Sequence, residues 1–360
     1  MKKKGVSDVK MTFVMIAMTI FFMGLFWVVL VNVFHTGPQE ISKAISSFFS
    51  TLKIEKASYG KDGSISVTVV KQGKNSLDGI LFTFSDDKNS EQINIPENFN
   101  GQTKKTFYFN TDNFTDISFV RNVSVTPIFT GSGDNKTKKP DDSFEFSNSQ
   151  IVDGFGVLSW WNFNDDLKDS RGLSDGTSRG GVSFVDGKFG KAVRFNGEDS
   201  YVNFGRLTQF DNLKSFAISF WIFNNISTTF PDNEGIFARG PDNKKMPWIF
   251  GYKGTRALFA QFETNSAVAD CSLGTDSLPA RQWVHIVFQW DGKECMFYEN
   301  GRLTTSDPTK GNMVSSNPSE TFLGKNPDGR YFNGMVDEQM VFNKSLTDKE
   351  INALYQINLS

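Results

Sequence analysis

Along residues 52–128 apolar positions recur at every second residue. In SISVTVVKQG, Ile65, Val67 and Val69 share one face, and GILFTFSDD alternates in the same way. Successive side chains of a strand point to opposite faces, so this period predicts half-buried strands. KTFYFN and VRNVSVTPIF extend the pattern, and KDG, SDDKN and ENFNGQ supply the turns between runs. A small β-sandwich is expected over 52–150.

GSGDNKTKKPDDS, residues 131–143, is polar and turn-rich, and reads as a linker or an exposed hairpin tip. Beyond a boundary near residue 150, short strands resume: VLSWWNF, AVRFNG, YVNFG, FAISFWIF, WIFGYKG, ALFAQFE, WVHIVFQWDG, CMFYENGRL and GMVDEQMVF. In FAISFWIF, Phe216, Ile218, Phe220 and Ile222 share one face and Ala217, Ser219, Trp221 and Phe223 the other, which fits an inner strand covered on both sides. WDGK and ENGR are hairpin turns, because glycine accepts positive φ. The period then changes to helical: Thr347 and Glu350 form a T-x-x-E capping box, Leu346 and Ile351 its staple, and Ile351, Leu354 and Tyr355 one apolar face. The fold class is all-β, with a short C-terminal helix. The first sandwich is immunoglobulin-like in strand order and spacing, without a Cys–Trp–Cys framework. It carries no chemical constellation and reads as a spacer.

The N-terminus follows a different pattern. Residues 11–34, MTFVMIAMTIFFMGLFWVVLVNVF, carry no charge and are long enough to cross a bilayer. Lys2, Lys3, Lys4 and Lys10 precede them, which places the 1–10 arm in the cytoplasm and everything beyond residue 35 outside the cell. The expected protein is single-pass in the cell membrane, with a stalk over 35–51 and extracellular domains at 52–150 and 151–360. A cleaved secretory signal is the alternative, but its apolar core would be shorter and end in small residues. A net charge of −2 argues against capture of nucleic acid. With two cysteines and two histidines a zinc cage of the usual ligand types is hard to build, and no CxxC occurs. Outside the cell Cys271 and Cys295 are expected to pair, two buried thiols being the alternative.

Seven segments in order are SWWNFND with KDSRG, GKFGKAVRFNGEDSYVNFG, SFAISFWI, RQWVHIVFQWDG, MFYENGRL and YFNGMVDEQMVFNKSLTDKEINALY. Over Val157–Tyr355 they resemble the laminin-G-like domains of the concanavalin A-like lectin/glucanase superfamily. The resemblance implies a two-sheet jelly roll with its first and last strands adjacent, a microbial surface protein that binds glycans or glycoproteins, and a structural calcium ion. The positions matching the family's calcium ligands are Asn164, Asp169 and Asp337, with Asn164 standing where an aspartate is usual. At the other end, KKKGVS before an apolar helix resembles the type IV pilin-like signals common in archaea. That likeness implies cleavage between Gly5 and Val6 and self-assembly through the helix, although Lys10 stands where bacterial pilins have a glutamate.

Asp337 and Glu338 raise the question of catalysis. Relatives that cut β-glucans carry E-x-D-x-x-E, absent from this chain. Adjacent residues on a regular strand face opposite sides and cannot flank one glycosidic bond. A hydrolase is therefore disfavoured, and no catalytic residue is expected. A buried Glu338 needs a partner such as Arg194. His285 has no nucleophile elbow nearby and reads as structural. Trp248 and Tyr252, beside polar loops, are the candidate ligand-stacking rings, because sugar C–H faces pack on aromatic planes. A non-catalytic adhesion protein is the leading expectation, a pilin-like filament subunit the second.

Overall fold

The computed structural model describes residues 51–359 apart from 74–75, 98, 100–102, 129–139, 212, 226–233, 241–247, 254–256, 266–267, 273–277 and 310–319. The expected basic arm, membrane span, cleavage point at Gly5 and Val6, and stalk to residue 50 lie outside the described residues. Thr51, expected to end the stalk, already opens the first strand. Among the described residues no helix is long and apolar enough to cross a membrane.

The first module comprises β1 (Thr51–Tyr59), β2 (Ser64–Gln72), β3 (Gly79–Ser85), β4 (Ser90–Ile95), β5 (Lys104–Asn110), β6 (Asn122–Ile128) and β7 (Asp142–Glu145). They form two antiparallel sheets, β1-β2-β5 and β4-β3-β6-β7. Ile65, Val67 and Val69 of β2 all point into the space between them. There Phe82 and Phe84 pack against Phe107, Phe109 and Phe114, with centroids 4.7–5.0 Å apart. β7 pairs with β6 from Asn122↔Glu145 to Val125↔Asp142. The far end of the polar stretch, from Asp142, thus belongs to a strand paired with β6, and residues 131–139 lie outside the described residues.

Helix α1 (Asn148–Gly154) straddles the expected boundary at residue 150. It starts in a capping box: Ser147 accepts from Gln150 N, and the Gln150 side chain accepts from Ser147 N. The S-x-x-Q pattern that marks this start is present in the sequence at Ser147–Gln150.

The second module comprises β8 (Val157–Trp161), β9 (Thr177–Arg179), β10 (Ser183–Asp186), β11 (Lys191–Asn196), β12 (Tyr201–Asn203), β13 (Phe216–Asn224), β14 (Glu234–Arg239), β15 (Trp248–Lys253), β16 (Ala257–Glu263) and β17 (Val268–Ser272). It continues with β18 (Trp283–Trp290), β19 (Glu294–Glu299), β20 (Arg302–Pro308), β21 (Thr321–Leu323), β22 (Asn333–Phe342) and helix α2 (Asp348–Gln356). One sheet runs β10-β11-β22-β13-β18-β19-β20, with β8 also paired to β22; the other runs β17-β16-β15-β14-β21-β12-β9. The first and last strands of the module are thus neighbours. Phe216, Ile218, Phe220 and Ile222 enter the core between the sheets with Trp161, Phe262, Phe288 and Trp290.

The opposite face of β13 and β22 is covered too. Ala217, Met340 and Phe342 share one apolar cluster with Ile351 and Leu354 of α2 and with the first module's Phe82, Phe84 and Phe109. Lys349 of α2 donates from Nζ to the carbonyls of Asp112, at 2.8 Å, and of Phe114, and Asn352 Nδ2 donates to Ser118 Oγ at 2.9 Å. The first module is therefore packed onto the second through α2. Both arms of the α2 capping box form, through Thr347 and Glu350.

Candidate functional site

The Asp337–Glu338 pair lies where β22 departs from regular geometry. Ser219 pairs with Met340, but Trp221 pairs with Asp337. Glu338 and Gln339 together therefore oppose Phe220, which makes a β-bulge, and Glu338 has φ +51°. The extra residue resets the alternation: Val336 and Val341 both enter the inter-sheet core, while Met340 and Phe342 face the α2 side. The expectation that Asp337 and Glu338 face opposite sides assumed a regular strand, and the bulge overturns it. Trp160 and Phe189, both packed on the α2-side cluster, each donate to one of the acids. Trp160 Nε1 donates to Glu338 Oε2 at 2.5 Å and Phe189 N to Asp337 Oδ2 at 2.9 Å.

Arg194 is exposed on β11 and does not partner Glu338; the indole of Trp160 takes that place. Asp337 is 0% and Glu338 1% exposed. Burial pushes the Asp337 carboxyl up to about 7, against the hydrogen bond from Phe189 N. Glu338 is raised well above its ordinary value, first by burial and then by the charge of Asp337. Among the described residues Asp337 Oδ1 and Glu338 Oε1 have no hydrogen-bond partner. Two buried carboxyls, both raised toward the protonated form, thus sit side by side beneath Trp160 of β8 and the β10–β11 turn.

His285 belongs to the same covered face. Its Nε2 lies 2.9 Å from Ser219 Oγ, and burial lowers its pKa to about 3, so the ring is neutral. Trp221 stacks on Tyr355 of α2 at 5.7 Å and lies 5.1 Å from His285. The ammonium of Lys188 sits 4.3 Å over the Trp221 ring.

The three residues matched to calcium ligands take separate tasks. Asn164 Oδ1 accepts from Lys191 N at 2.7 Å, and Asp337 Oδ2 from Phe189 N, so these two meet the same turn between β10 and β11. A Cβ on Gly187 would come within 2.6 Å of Asp337 Oδ2, so this turn admits the carboxylate only with glycine there. Asp169 Oδ1 instead accepts from Trp160 N and Arg171 N, both at 2.9 Å, and fixes the loop after β8; its Oδ2 is buried without a partner. Among the described residues no three His, Cys, Asp or Glu side chains gather as a metal-binding group.

Cys271 of β17 and Cys295 of β19 form a disulfide with Cα atoms 6.4 Å apart, joining the two sheets. Trp248 and Tyr252 open and nearly close β15, paired with Arg239 and Glu234 of β14; their side chains lie outside the described residues.

A cluster that the sequence reading passed over lies at the end of the second sheet. Lys325 and Tyr331 form an antiparallel bridge that closes the Asn326–Arg330 turn. Asn326 holds that turn, its Oδ1 accepting from Arg330 N at 2.9 Å and its carbonyl from Gly329 N at 3.2 Å. The bridge brings Lys325 Nζ to 3.9 Å from the Tyr201 ring centroid and 4.1 Å from that of Phe322. Tyr331 lies 6.3 Å from Tyr201. Tyr201, Tyr331 and Lys325 are all half-buried. The signal was the hairpin GKNPDGRY, whose two flanking residues come together only once β12 and β21 pair beside it.

Residues 196–352 match the Laminin_G_3 family model, described as the concanavalin A-like lectin/glucanases superfamily. Over 112 residues the chain is 37% identical to human adhesion G-protein coupled receptor D1. That match covers 29% of this chain and only 12% of the receptor's length. Among solved structures, domain 4 of AbnA, a GH43 extracellular arabinanase from Geobacillus stearothermophilus in complex with arabinotriose, aligns with TM-score 0.46 and 21% identity. It covers 56% of this chain and 98% of that one. The binding domain of botulinum neurotoxin DC in complex with rat synaptotagmin II aligns with TM-score 0.47 and 20% identity, over 56% of this chain and 51% of that one. Residues 196–352, from the end of β11 into α2, are thus the part of the chain that is similar to the laminin-G-like domains of the concanavalin A-like superfamily.

Proposed function

We propose that this protein is a non-catalytic binding protein of the cell surface, whose laminin-G-like domain holds a glycan or the glycan of a glycoprotein. The observation that carries the reading is the half-exposed cluster of Tyr201, Tyr331 and Lys325, an aromatic surface beside a cation at the end of a rigid sheet. Aromatic planes pack against sugar C–H faces, and a neighbouring donor orients the hydroxyls. The buried Asp337–Glu338 pair supports the absence of hydrolysis, since retaining chemistry needs two carboxyls about 5–5.5 Å apart across a bound glycosidic bond. Display on the membrane rests on the uncharged segment 11–34 and the lysines before it. A structural calcium ion is a separate proposal; Asp337 Oδ1 and Asp169 Oδ2, two of the buried carboxylate oxygens without a partner among the described residues, are the atoms that would favour it. The test is a glycan array probed with the full chain, with and without EDTA. Selective binding supports the reading, a loss on chelation adds the ion, and an array blank under both conditions overturns it.

A further inference from the structure

The ammonium of Lys325 is unusual in its surroundings. It rests against two ring faces, and among the described residues no carboxylate or carbonyl accepts a hydrogen bond from it. Burial lowers its pKa, while the charge of exposed Glu320 acts weakly the other way. Cation–π attraction compensates part of the lost hydration, yet among the described residues no acceptor meets its N–H donors. A second cation stands beside it: Arg179 of β9 pairs in register with Tyr201 and is exposed. Cross-strand partners project to the same face, so the Arg179 and Tyr201 side chains leave the same side of the sheet. No ion pair engages Arg179 among the described residues.

A neutral sugar would stack on Tyr331 and Tyr201 but leave the Lys325 donors as they are. A ring bearing a carboxylate would add a charge-assisted hydrogen bond in a partly desolvated place, where it is stronger than in open water. We infer that the Tyr201–Phe322–Tyr331–Lys325 cluster binds an acidic saccharide, its carboxylate on Lys325, its ring on Tyr331, and Arg179 at the rim. This deepens the binding function proposed above and rests on it. Nothing is transferred or cleaved; the step is recognition of charge and ring together.

The experiment immobilises the full chain and measures binding of two matched pairs, sialyllactose against lactose and trigalacturonate against its methyl ester. At least one acid should bind tenfold or more tightly than its neutral partner, and the gap should narrow as salt rises. Lys325→Met, which keeps the stem on the rings, should abolish the preference, while Lys325→Arg should retain most of it. Tyr331→Ala should weaken acid and neutral forms together. Equal binding within both pairs by the wild-type chain overturns the inference without needing any variant, and leaves the general glycan reading in place. An unchanged preference in Lys325→Met, with melting confirming the fold, also overturns it. If neither pair binds and a broad array is blank as well, the glycan reading falls with it.

Discussion

Trp160 of β8 donates its indole N–H to the carboxyl of Glu338 on β22 at 2.5 Å, across the pairing of the module's first and last strands. Glu338 has no other hydrogen bond through its second oxygen. Trp160→Phe should therefore leave a buried carboxyl without a partner, at a cost of about 1–3 kcal/mol. Urea unfolding of the wild type, Trp160→Phe, Glu338→Gln and the double variant gives the coupling. A double variant no less stable than Trp160→Phe alone is expected; strict additivity would mean that the pair contributes nothing.

The acid pair sets a pH dependence whose sign follows from its raised values. A carboxyl that is protonated more readily when folded stabilises the fold at low pH and loses that contribution as pH rises through its folded value. Asp337, at about 7 when folded, loses its contribution between about 4 and 7, and Glu338, raised by burial and by the charge of Asp337, acts with the same sign. His285 acts oppositely: buried neutral, it favours folding as pH rises, but only up to its unfolded value of 6.5. Above that point the acids act alone. Stability should fall as pH rises from 6.5 through about 7, and Glu338→Gln should flatten the slope, as read by Tm across buffers. A Tm that rises over this interval in the wild type would contradict the assignment.

This region also separates what was legible in the sequence from what was not. The period-two runs, the WDGK and ENGR turns and the Thr347–Glu350 box are local signals, and each has its physical cause within a few residues. The bulge at Glu338 has no such signal, because it is a mismatch between β22 and β13, strands more than a hundred residues apart in the chain. The sequence therefore revealed two buried acids but misplaced one of them by a full face. The same holds for Lys325: its bridge to Tyr331 is local, while its two rings arrive from β12 and β21. The covered outer face of FAISFWIF was readable as apolar on both sides, but what covers it was not. Coverage by α2 and the first module depends on how two folded units dock.

The disulfide between Cys271 and Cys295 closes a loop spanning 24 positions and links β17 to β19, strands of different sheets. Restricting the unfolded chain by a loop of this length is worth about 3 kcal/mol. Reduction, or the Cys271→Ala/Cys295→Ala pair, should lower the stability of the second module by roughly that amount. Both sulfurs are buried at 1% exposure, so reduction should need partial denaturation. Rapid reduction by dithiothreitol in native buffer, at no cost in Tm, would contradict the packing described.

Ile351 of α2 is fully buried in an apolar cluster shared by both modules, and Lys349 of the same helix ties it to the carbonyls of Asp112 and Phe114. If that cluster is one cooperative core, the two modules should melt together. Calorimetry of the full chain should then show a single endotherm for the residues from β1 through α2. Lys349→Ala removes the polar tie and leaves the apolar contact, so it should cost about 1 kcal/mol per lost hydrogen bond and preserve the single transition. Ile351→Ala opens a cavity at the shared core, costing about 2–5 kcal/mol, and should destabilise both modules at once. Separate endotherms in the wild type, or an Ile351→Ala effect confined to the second module, would show that α2 serves the jelly roll alone.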